Sequence, residues 1–207
     1  MAWLDGIIAK IKAVEDSDGG VRRTKAGKFE KVDVKEVVKK DIVLKYDRES
    51  GYAGTAVNGE TVGEFSTFDR ILIVKPNGVW SVGGIPEKAF VGQGAWLGLA
   101  DKEALKNTVF TIVYKETKTC YPYIKRCVIE GWIINKEYSL VPDSAEVLLV
   151  AASVAAHEKL NFTLHYKPKP RLKVAKETFK AENYSVRGLK AGGIRLATRE
   201  VVKLETR

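Results

Sequence analysis

The chain has 207 residues, of which 45% are hydrophobic, and its formal net charge is +9. This length allows one domain or one domain with an extension, and no apolar run approaches the ~20 residues of a membrane span. The first residues lack the charged and apolar regions of a secretion signal, so we expect a cytoplasmic protein with no membrane partner. Residues 159–207 hold 13 Lys and Arg against 4 Asp and Glu, whereas residues 1–158 hold 22 of each sign. An excess confined to the last quarter favours either a phosphate-bearing partner or a solubilising surface.

The first 15 residues predict an amphipathic helix. Apolar side chains recur at helical spacing from Trp3 to Val14, and the polar residues 16–20 end the pattern. An irregular basic stretch follows, and Asp33 can cap a second short helix over residues 34–40. We therefore expect residues 1–40 to be a helical lead-in and residues 41–207 to form the main domain.

Four segments of the main domain share one pattern of strand, polar turn and strand. The clearest is the hairpin at residues 69–82, where Asn77-Gly78 provides the positive φ angles of a tight turn. Its relatives are residues 41–55, 108–128 and 161–174. A β unit that recurs every few tens of residues is typical of a propeller-like array. We predict an all-β fold of four degenerate blades, each with an antiparallel hairpin, and with all hairpin turns on one side.

No set of residues in the sequence predicts catalysis or a cofactor. The two histidines have no Ser or Cys motif around them, and Cys120 and Cys127 form no CxxC pair. The glycine-rich stretch 190–193 lacks the signature of a phosphate-binding loop before a helix. Its glycines permit a tight turn, or they let the backbone approach a phosphate between neighbouring cations. Both interpretations remain open, and we expect no cofactor and no metal.

Basic residues near the hairpin ends suggest a second feature. Lysines lie close to the turn in all four units, at Lys45, Lys75, Lys115 and Lys167. In a radial array they would form a curved positive track that contacts phosphates without reading bases. Alternatively, such lysines only protect strand edges and keep the surface soluble.

In the last unit, strand alternation directs Arg171 and Lys173 outward. Lys125 and Arg126 point to opposite faces of their strand, so we expect only one of them to be fully exposed.

Several stretches together resemble a known family. These are Arg22-Arg23-Thr24, residues 40–44 with Gly51-Tyr52, residues 68–73 with Asn77-Gly78, residues 123–126 and residues 190–195. In their order and spacing they are similar to the C-terminal part of the A subunit of bacterial type IIA topoisomerases, the gyrase and topoisomerase IV group. The resemblance runs from about Val21 to the end of the chain, and the topoisomerase IV-like A subunits are the most similar.

The resemblance implies a β-pinwheel whose basic outer rim binds and bends duplex DNA. Residues 1–15 would be the last turns of a helix that arrives from a catalytic core, and that core is not in this chain. The chain would therefore be no enzyme by itself, and its parent would use ATP and magnesium on other domains. The implied partners are double-stranded DNA, the ATPase of the B subunit, and the rest of the topoisomerase polypeptide to which the domain belongs.

Two departures from the family bear on the parent's reaction. Gyrase subunits carry a basic, glycine-rich box after the first blade, and here residues 58–64 occupy that place without Arg or Lys. The four units are also fewer than the family commonly has. Both favour relaxation or decatenation over gyrase-type wrapping of DNA.

The sequence thus predicts a non-catalytic domain that grips duplex DNA through its phosphates, with the strongest contacts on the fourth blade. The alternative is a protein-interaction β-propeller whose basic face meets an acidic partner. The residues predicted to contact DNA are Lys75, Lys125, Arg126, Arg171, Lys173, Arg187, Lys190 and Arg195.

Overall fold

A computed structural model describes residues 2–15, 39–153, 159–170 and 174–206. Its internal contacts divide the chain into two units, residues 1–37 and residues 38–207. The first unit contains helix α1 (Ala2–Glu15), as the apolar spacing predicts, with Trp3 and Ile11 exposed. The helix predicted over residues 34–40 lies largely outside the described residues, and Lys39 and Lys40 are not helical.

Within the described part of the second unit, fifteen strands form four sheets in which every strand pair is antiparallel. A short helix, α2 (Lys102–Lys106), lies between β7 and β8, and a 3-10 helix spans Ala181–Asn183. The strands are β1 (Ile42–Asp47), β2 (Tyr52–Gly54), β3 (Glu60–Phe65), β4 (Ile71–Val74), β5 (Val79–Gly83), β6 (Ala89–Phe90), β7 (Trp96–Leu99), β8 (Val109–Glu116), β9 (Pro122–Cys127), β10 (Glu137–Ser139), β11 (Ala145–Ser153), β12 (Asn161–Tyr166), β13 (Lys176–Lys180), β14 (Ile194–Arg195) and β15 (Val201–Thr206).

Each sheet is built around one hairpin and is completed by strands from two sources. We call each hairpin with the strand that follows it a β repeat. In the first sheet, β3-β1-β2-β6, the hairpin β1–β2 is flanked by β3 of its own repeat and by β6 of the next repeat. The second sheet, β10-β5-β4-β7, and the third, β11-β8-β9-β14, have the same arrangement, with β10 and β14 as the strands from the next β repeat. The fourth sheet, β13-β12-β15, has only its own three strands within the described residues.

Three connecting stretches therefore leave their own β repeat and complete the preceding sheet. We name them the first, second and third inserted segments, and they are residues 84–95, 128–144 and 181–200. The corresponding connection of the first β repeat, residues 55–59, is short and joins β2 directly to β3. The exchange of strands links each sheet to the next one through backbone hydrogen bonds.

The cores lie between consecutive sheets. Alternation along each strand puts apolar side chains on one face, as in β12, where Phe162, Leu164 and Tyr166 are buried. One cluster joins the first and second sheets around Leu44 and Ile71, and a second cluster joins the second and third around Trp80 and Phe110. The third cluster joins the third and fourth sheets, with Val113 and Ile124 packed against β12. The sheets thus pack face to face in chain order.

The two edges of each sheet are not equivalent. At one edge, each sheet ends in a strand of its own β repeat. Such strands of neighbouring sheets contact each other, β3 with β7 and β11 with β15. The inserted strands lie at the opposite edge, beyond the hairpin. The inserted strands thus lie at the edge away from these contacts, which we name the outer edge.

The all-β class and the four antiparallel sheets confirm the prediction from the repeated pattern. The tight turn at Asn77-Gly78 is also present, with Gly78 at φ +82° and a hydrogen bond of 2.8 Å from the Lys75 N–H to the Val79 carbonyl. The repeated pattern predicts the second strand of the fourth hairpin at residues 171–174, but β13 begins at Lys176. Whether the four turns lie on one side of the domain stays a prediction.

Candidate nucleic-acid interface

The third inserted segment carries three of the predicted site residues, but it lies on the third sheet. The Arg187 N–H donates to the Arg126 carbonyl at 2.8 Å, and Cys127 and Arg187 form a parallel bridge. Further along, β14 pairs with β9, with Ile194 opposite Ile124. The prediction that places these residues on the fourth blade is therefore wrong, because their segment completes the third sheet.

Arg187, Lys190 and Arg195 are all exposed on this segment. Within the described residues none of the three side chains has an ion-pair or hydrogen-bond partner. Nearby Gly192 is exposed, and a Cβ added there would meet nothing within 4 Å. The three cations and an open stretch of backbone therefore face solvent together, which suits an anionic partner.

Lys125 and Arg126 are both buried, at 7% exposure each, so the expectation that one would be fully exposed is wrong. Lys125 Nζ donates to the carbonyls of Leu140 at 2.9 Å and Leu189 at 2.7 Å. These acceptors belong to the second and third inserted segments, so one ammonium group ties both segments to β9. Burial lowers the pKa of Lys125 below its ordinary value, with an opposing effect from Cys127.

Arg126 makes an equivalent tie on the other face of β9. Its Nη1 donates to the Tyr184 carbonyl at 2.8 Å, near the start of the third inserted segment. Its Nε is buried without a hydrogen-bond partner among the described residues. The physical reason for both corrections is the inserted segment, which covers the edge of β9 and both of its faces.

Gly193 fixes the last turn of the segment against the third sheet. Its N–H donates to Tyr114 Oη at 3.2 Å, and a Cβ at this position would lie 2.5 Å from that oxygen. Tyr114 stacks on Tyr123 with ring centroids 5.5 Å apart. Burial raises the pKa of Tyr114, so its hydroxyl is protonated at neutral pH. Of the two glycines predicted to matter, Gly193 is thus a packing position, whereas Gly192 is open.

Three of the four hairpin-end lysines have acidic neighbours, whereas Lys45 has no ion-pair partner among the described residues. Lys75 pairs with Glu137 at 2.9 Å, Lys115 with Glu146 at 3.0 Å, and Lys167 with Glu200 at 3.1 Å. Lys169 also pairs with Glu200, and hydrogen bonds from Lys169 and Lys167 lower the pKa of that carboxyl. A pair removes most of the field that a distant phosphate would feel, so these positions are weak candidates for an anion track.

Two cations that the sequence did not single out lie at equivalent positions in the inserted segments. Lys88 directly precedes β6 and lies over the Tyr52 ring at 4.9 Å, and Lys136 directly precedes β10 and lies over the Tyr138 ring at 5.4 Å. A lysine followed at once by a short strand was the available signal. It was missed because the pairing of that strand with the preceding sheet is not visible in the sequence.

Charge is concentrated on one of the three inserted segments. The first contains one Lys and one Glu, and the second contains one Lys against three acidic residues. The third contains four Lys and Arg against two Glu. The remaining predicted residues, Arg171 and Lys173, lie outside the described residues.

The described residues contain no group of three or more His, Cys, Asp and Glu side chains that could hold a metal ion. Within the same residues, no helix has the length and apolar character needed to cross a membrane.

A family model described as "Topoisomerase C-terminal domain, Bacteroidota" matches residues 43–207, which include all four sheets except Ile42, the first residue of β1. The chain belongs to this family. The topoisomerase domain is also similar to the A subunit of DNA topoisomerase 4 from Borreliella burgdorferi, with 28% identity over 127 residues. That match covers 60% of the chain but 20% of the relative, so the chain spans about a fifth of the relative's length. The resemblance to the C-terminal domain of a type IIA topoisomerase A subunit is thereby confirmed.

Proposed function

We propose that this topoisomerase domain is a non-catalytic module that binds and bends duplex DNA through its backbone phosphates. The observation that carries the proposal is the group Arg187, Lys190 and Arg195, exposed and, among the residues the structure describes, without acidic partners on the third inserted segment. The buried side chains of Lys125 and Arg126 support the group by holding the segment on β9. We therefore assign these two a positioning role and no contact with DNA.

The chemistry of the group suits phosphates more than bases. Arginine and lysine neutralise phosphates and release the counterions that surround DNA, and such contacts carry no sequence information. Gly192 has open space around its Cα, so the backbone there can approach a phosphate closely. We expect affinity to depend strongly on salt and weakly on sequence.

Bending would follow if the duplex continues from the third inserted segment along the outer edges of the earlier sheets. Lys136 and Lys88 lie at equivalent edge positions of the second and first sheets. A duplex that follows them has to curve, at an elastic cost of roughly 1–6 kcal/mol for a site of 20–30 base pairs. The favourable contacts at the third sheet would offset part of that cost.

In the parent protein, the module would serve relaxation or decatenation in the cytoplasm and would not wrap DNA as gyrase does. Supporting this, the place of the basic box is occupied by residues 58–64, which form part of the short β2–β3 connection and β3 itself. The catalytic core of the parent would supply the cleavage chemistry and its magnesium, and the B subunit would supply the ATPase.

The test is a salt titration of duplex binding by the full chain. Replacing Arg187, Lys190 and Arg195 together by Ala should make the negative slope of log affinity against log salt shallower by about 2.7, at ~0.9 for each phosphate that is no longer neutralised. The matched control replaces three exposed lysines outside the inserted segments, Lys102, Lys106 and Lys118, and changes the net charge equally. That control should keep most of the slope. Equal losses in both variants would mean that net charge alone drives binding, and an unchanged slope in the first variant would refute the proposed interface.

A further inference from the structure

Among the residues that the structure describes, the fourth sheet has no strand at the position that an inserted strand fills in the other three sheets. In those sheets a hairpin strand is covered by an inserted strand, β6 on β2, β10 on β5 and β14 on β9. The equivalent strand of the fourth sheet is β13, and it pairs only with β12 within the described residues. The fold therefore presents a strand edge whose geometry has three filled counterparts in the same chain.

The backbone groups at this edge can be assigned from the register. The Tyr166 N–H donates to the Ala175 carbonyl at 2.9 Å, so Tyr166 and Ala175 form a hydrogen-bonded pair. Bonded and non-bonded pairs alternate in an antiparallel ladder, so Glu177 and Phe179 bond to β12. The N–H and C=O groups of Lys176, Thr178 and Lys180 therefore point away from β12. These three residues are exposed, and they form a donor and acceptor row for an added strand.

The three inserted strands share a further feature that defines what this edge accepts. The residue after each strand is apolar and donates its N–H to a carbonyl of the first residue of the host strand or of the residue directly before it. These bonds are Val91 to Gly51, Leu140 to Gly78 and Leu196 to Pro122, each 2.9 Å long. Val91 and Leu140 are buried in the clusters between sheets, and Leu196 packs partly into the third cluster. An apolar residue at this position is thus the recurrent anchor of the insertion.

The fourth sheet has a cleft at the corresponding place. It lies beside the start of β13, and it is lined by Val174, Glu177, Leu196, Ala197, Thr198 and Arg199. Val174, Leu196 and Ala197 give it an apolar side. An antiparallel strand added to β13 would bring the residue that follows it to this cleft, as the other three sheets do with their own anchors.

Charge selects among the candidate occupants. A second copy of β13 paired symmetrically about Thr178 would place Lys176 opposite Lys180 twice, and like charges directly opposite are destabilising. An acidic strand would instead meet both lysines favourably. The chain contains an example, because Glu137 on inserted strand β10 pairs with Lys75 of its host sheet.

We propose that the β13 edge binds an extended acidic peptide segment of a partner chain by strand addition, with an apolar residue directly after the paired stretch. This surface is separate from the third inserted segment, and the inference does not depend on DNA binding by that segment.

The experiment uses the full isotope-labelled chain and the blocked peptide Glu-Tyr-Ser-Tyr-Glu-Ser-Leu-Val. In an antiparallel pair with β13, its two Glu lie opposite Lys180 and Lys176, and its Leu lies opposite Val174 as the anchor. Backbone amide signals of Lys176, Thr178 and Lys180 should shift and exchange more slowly with solvent. A peptide with both Glu replaced by Lys should bind roughly tenfold more weakly, since two cross-strand pairs change sign. The double variant Lys176→Glu, Lys180→Glu should reverse that preference, and both changes are at exposed positions that leave the core untouched.

Three outcomes would overturn the proposal. They are an absence of shifts at β13, equal binding of the two peptides, and shifts that map to another part of the chain. Duplex DNA is the necessary competitor, because the lysines could also attract phosphates. If DNA protects these three amides and displaces the peptide, the edge belongs to the nucleic-acid surface, and strand addition by a protein partner is refuted.

Discussion

At the scale of single residues, the cations of this domain divide into buried and exposed groups with different roles. Lys125 and Arg126 are buried and donate to backbone carbonyls, so their charges hold the inserted segments in place. Arg187, Lys190 and Arg195 are exposed to solvent, where a ligand can reach them. Charge in the sequence is the same in both groups, and only burial separates structural cations from candidate contacts.

Two single variants, Lys125→Met and Lys190→Ala, should distinguish the structural role from the binding role. Lys125→Met leaves the carbonyls of Leu140 and Leu189 without their donor, at a cost of about 1–3 kcal/mol in the free energy of unfolding. DNA affinity should fall with little change in its salt slope, because the exposed cations that meet phosphates are all retained. Lys190→Ala should leave stability within about 0.5 kcal/mol and make the negative salt slope shallower by ~0.9.

Denaturant titration and salt-dependent binding measure both quantities for the two variants. If Lys125→Met leaves stability unchanged while the salt slope falls, the ammonium group contacts DNA directly and the positioning role is wrong.

The two cysteines should differ strongly in reactivity. Burial raises the pKa of the Cys127 thiol to about 11, whereas Cys120 lies in a partly exposed turn. At pH 8 the thiolate fraction of Cys127 is on the order of one in a thousand, and the thiolate is the reactive form. Iodoacetamide should therefore modify Cys120 first in the folded protein. Mass spectrometry of timed samples measures this, and modification of Cys127 at a similar rate would show that the cluster around it opens readily.

At the scale of elements, the inserted strands decide how the sheets are joined. Each is only two or three residues long, and none would be stable as a separate strand. They are held by backbone bonds to the host strand and by the anchor residue that follows. Insertion therefore couples neighbouring sheets, and we expect them to unfold together.

Gly193 and Gly192 provide a matched pair for testing the last insertion. Gly193→Ala would put a Cβ within 2.5 Å of Tyr114 Oη and within 3.0 Å of its ring, so the ring or β14 has to move. We expect a loss of about 1–3 kcal/mol and weaker DNA binding, as typical for overpacking. Gly192→Ala meets open space and should change stability by less than about 0.5 kcal/mol. Thermal unfolding of both variants measures the difference, and equal effects would mean that β14 is not packed as described.

At the scale of the whole molecule, the second unit is a series of sheets with two different ends. The first β repeat has only a short connection where the others have an inserted segment. The last sheet has an uncovered edge strand within the described residues. One set of outer edges can thus face DNA while the end of the series remains available to a protein. The two proposed surfaces use different backbone and can be tested separately.

The isolated chain should not cleave DNA. Tyr123 is packed against Tyr114, and within the described ranges no cluster of carboxylates could hold magnesium beside a tyrosine. Supercoiled plasmid incubated with the chain and magnesium should stay intact and carry no covalently bound protein, as shown by agarose gels after denaturation. Nicked plasmid that depends on both magnesium and a single tyrosine would contradict this expectation.

Local pattern in the sequence was sufficient for helix α1, the all-β class, the first three hairpins and the first strand of the fourth. Alternating apolar residues and turn residues such as Asn77-Gly78 act over a few neighbours, so they can be read without knowing the fold. The resemblance to the A subunits of type IIA topoisomerases came likewise from short stretches in order. The concentration of charge in residues 159–207 was equally a property of the sequence alone.

Only the tertiary structure decided which sheet each strand completes, and with it the location of the site. The third inserted segment follows the fourth hairpin in sequence but pairs with β9, so Arg187, Lys190 and Arg195 belong to the third sheet. The same insertion buries Lys125 and Arg126, which alternation alone would expose on at least one face. Strand exchange depends on pairing between residues far apart in sequence, 38 positions for Tyr52 with Phe90 and 70 for Ile194 with Ile124. No local periodicity encodes such a pairing, because its stability arises from the packing of neighbouring sheets.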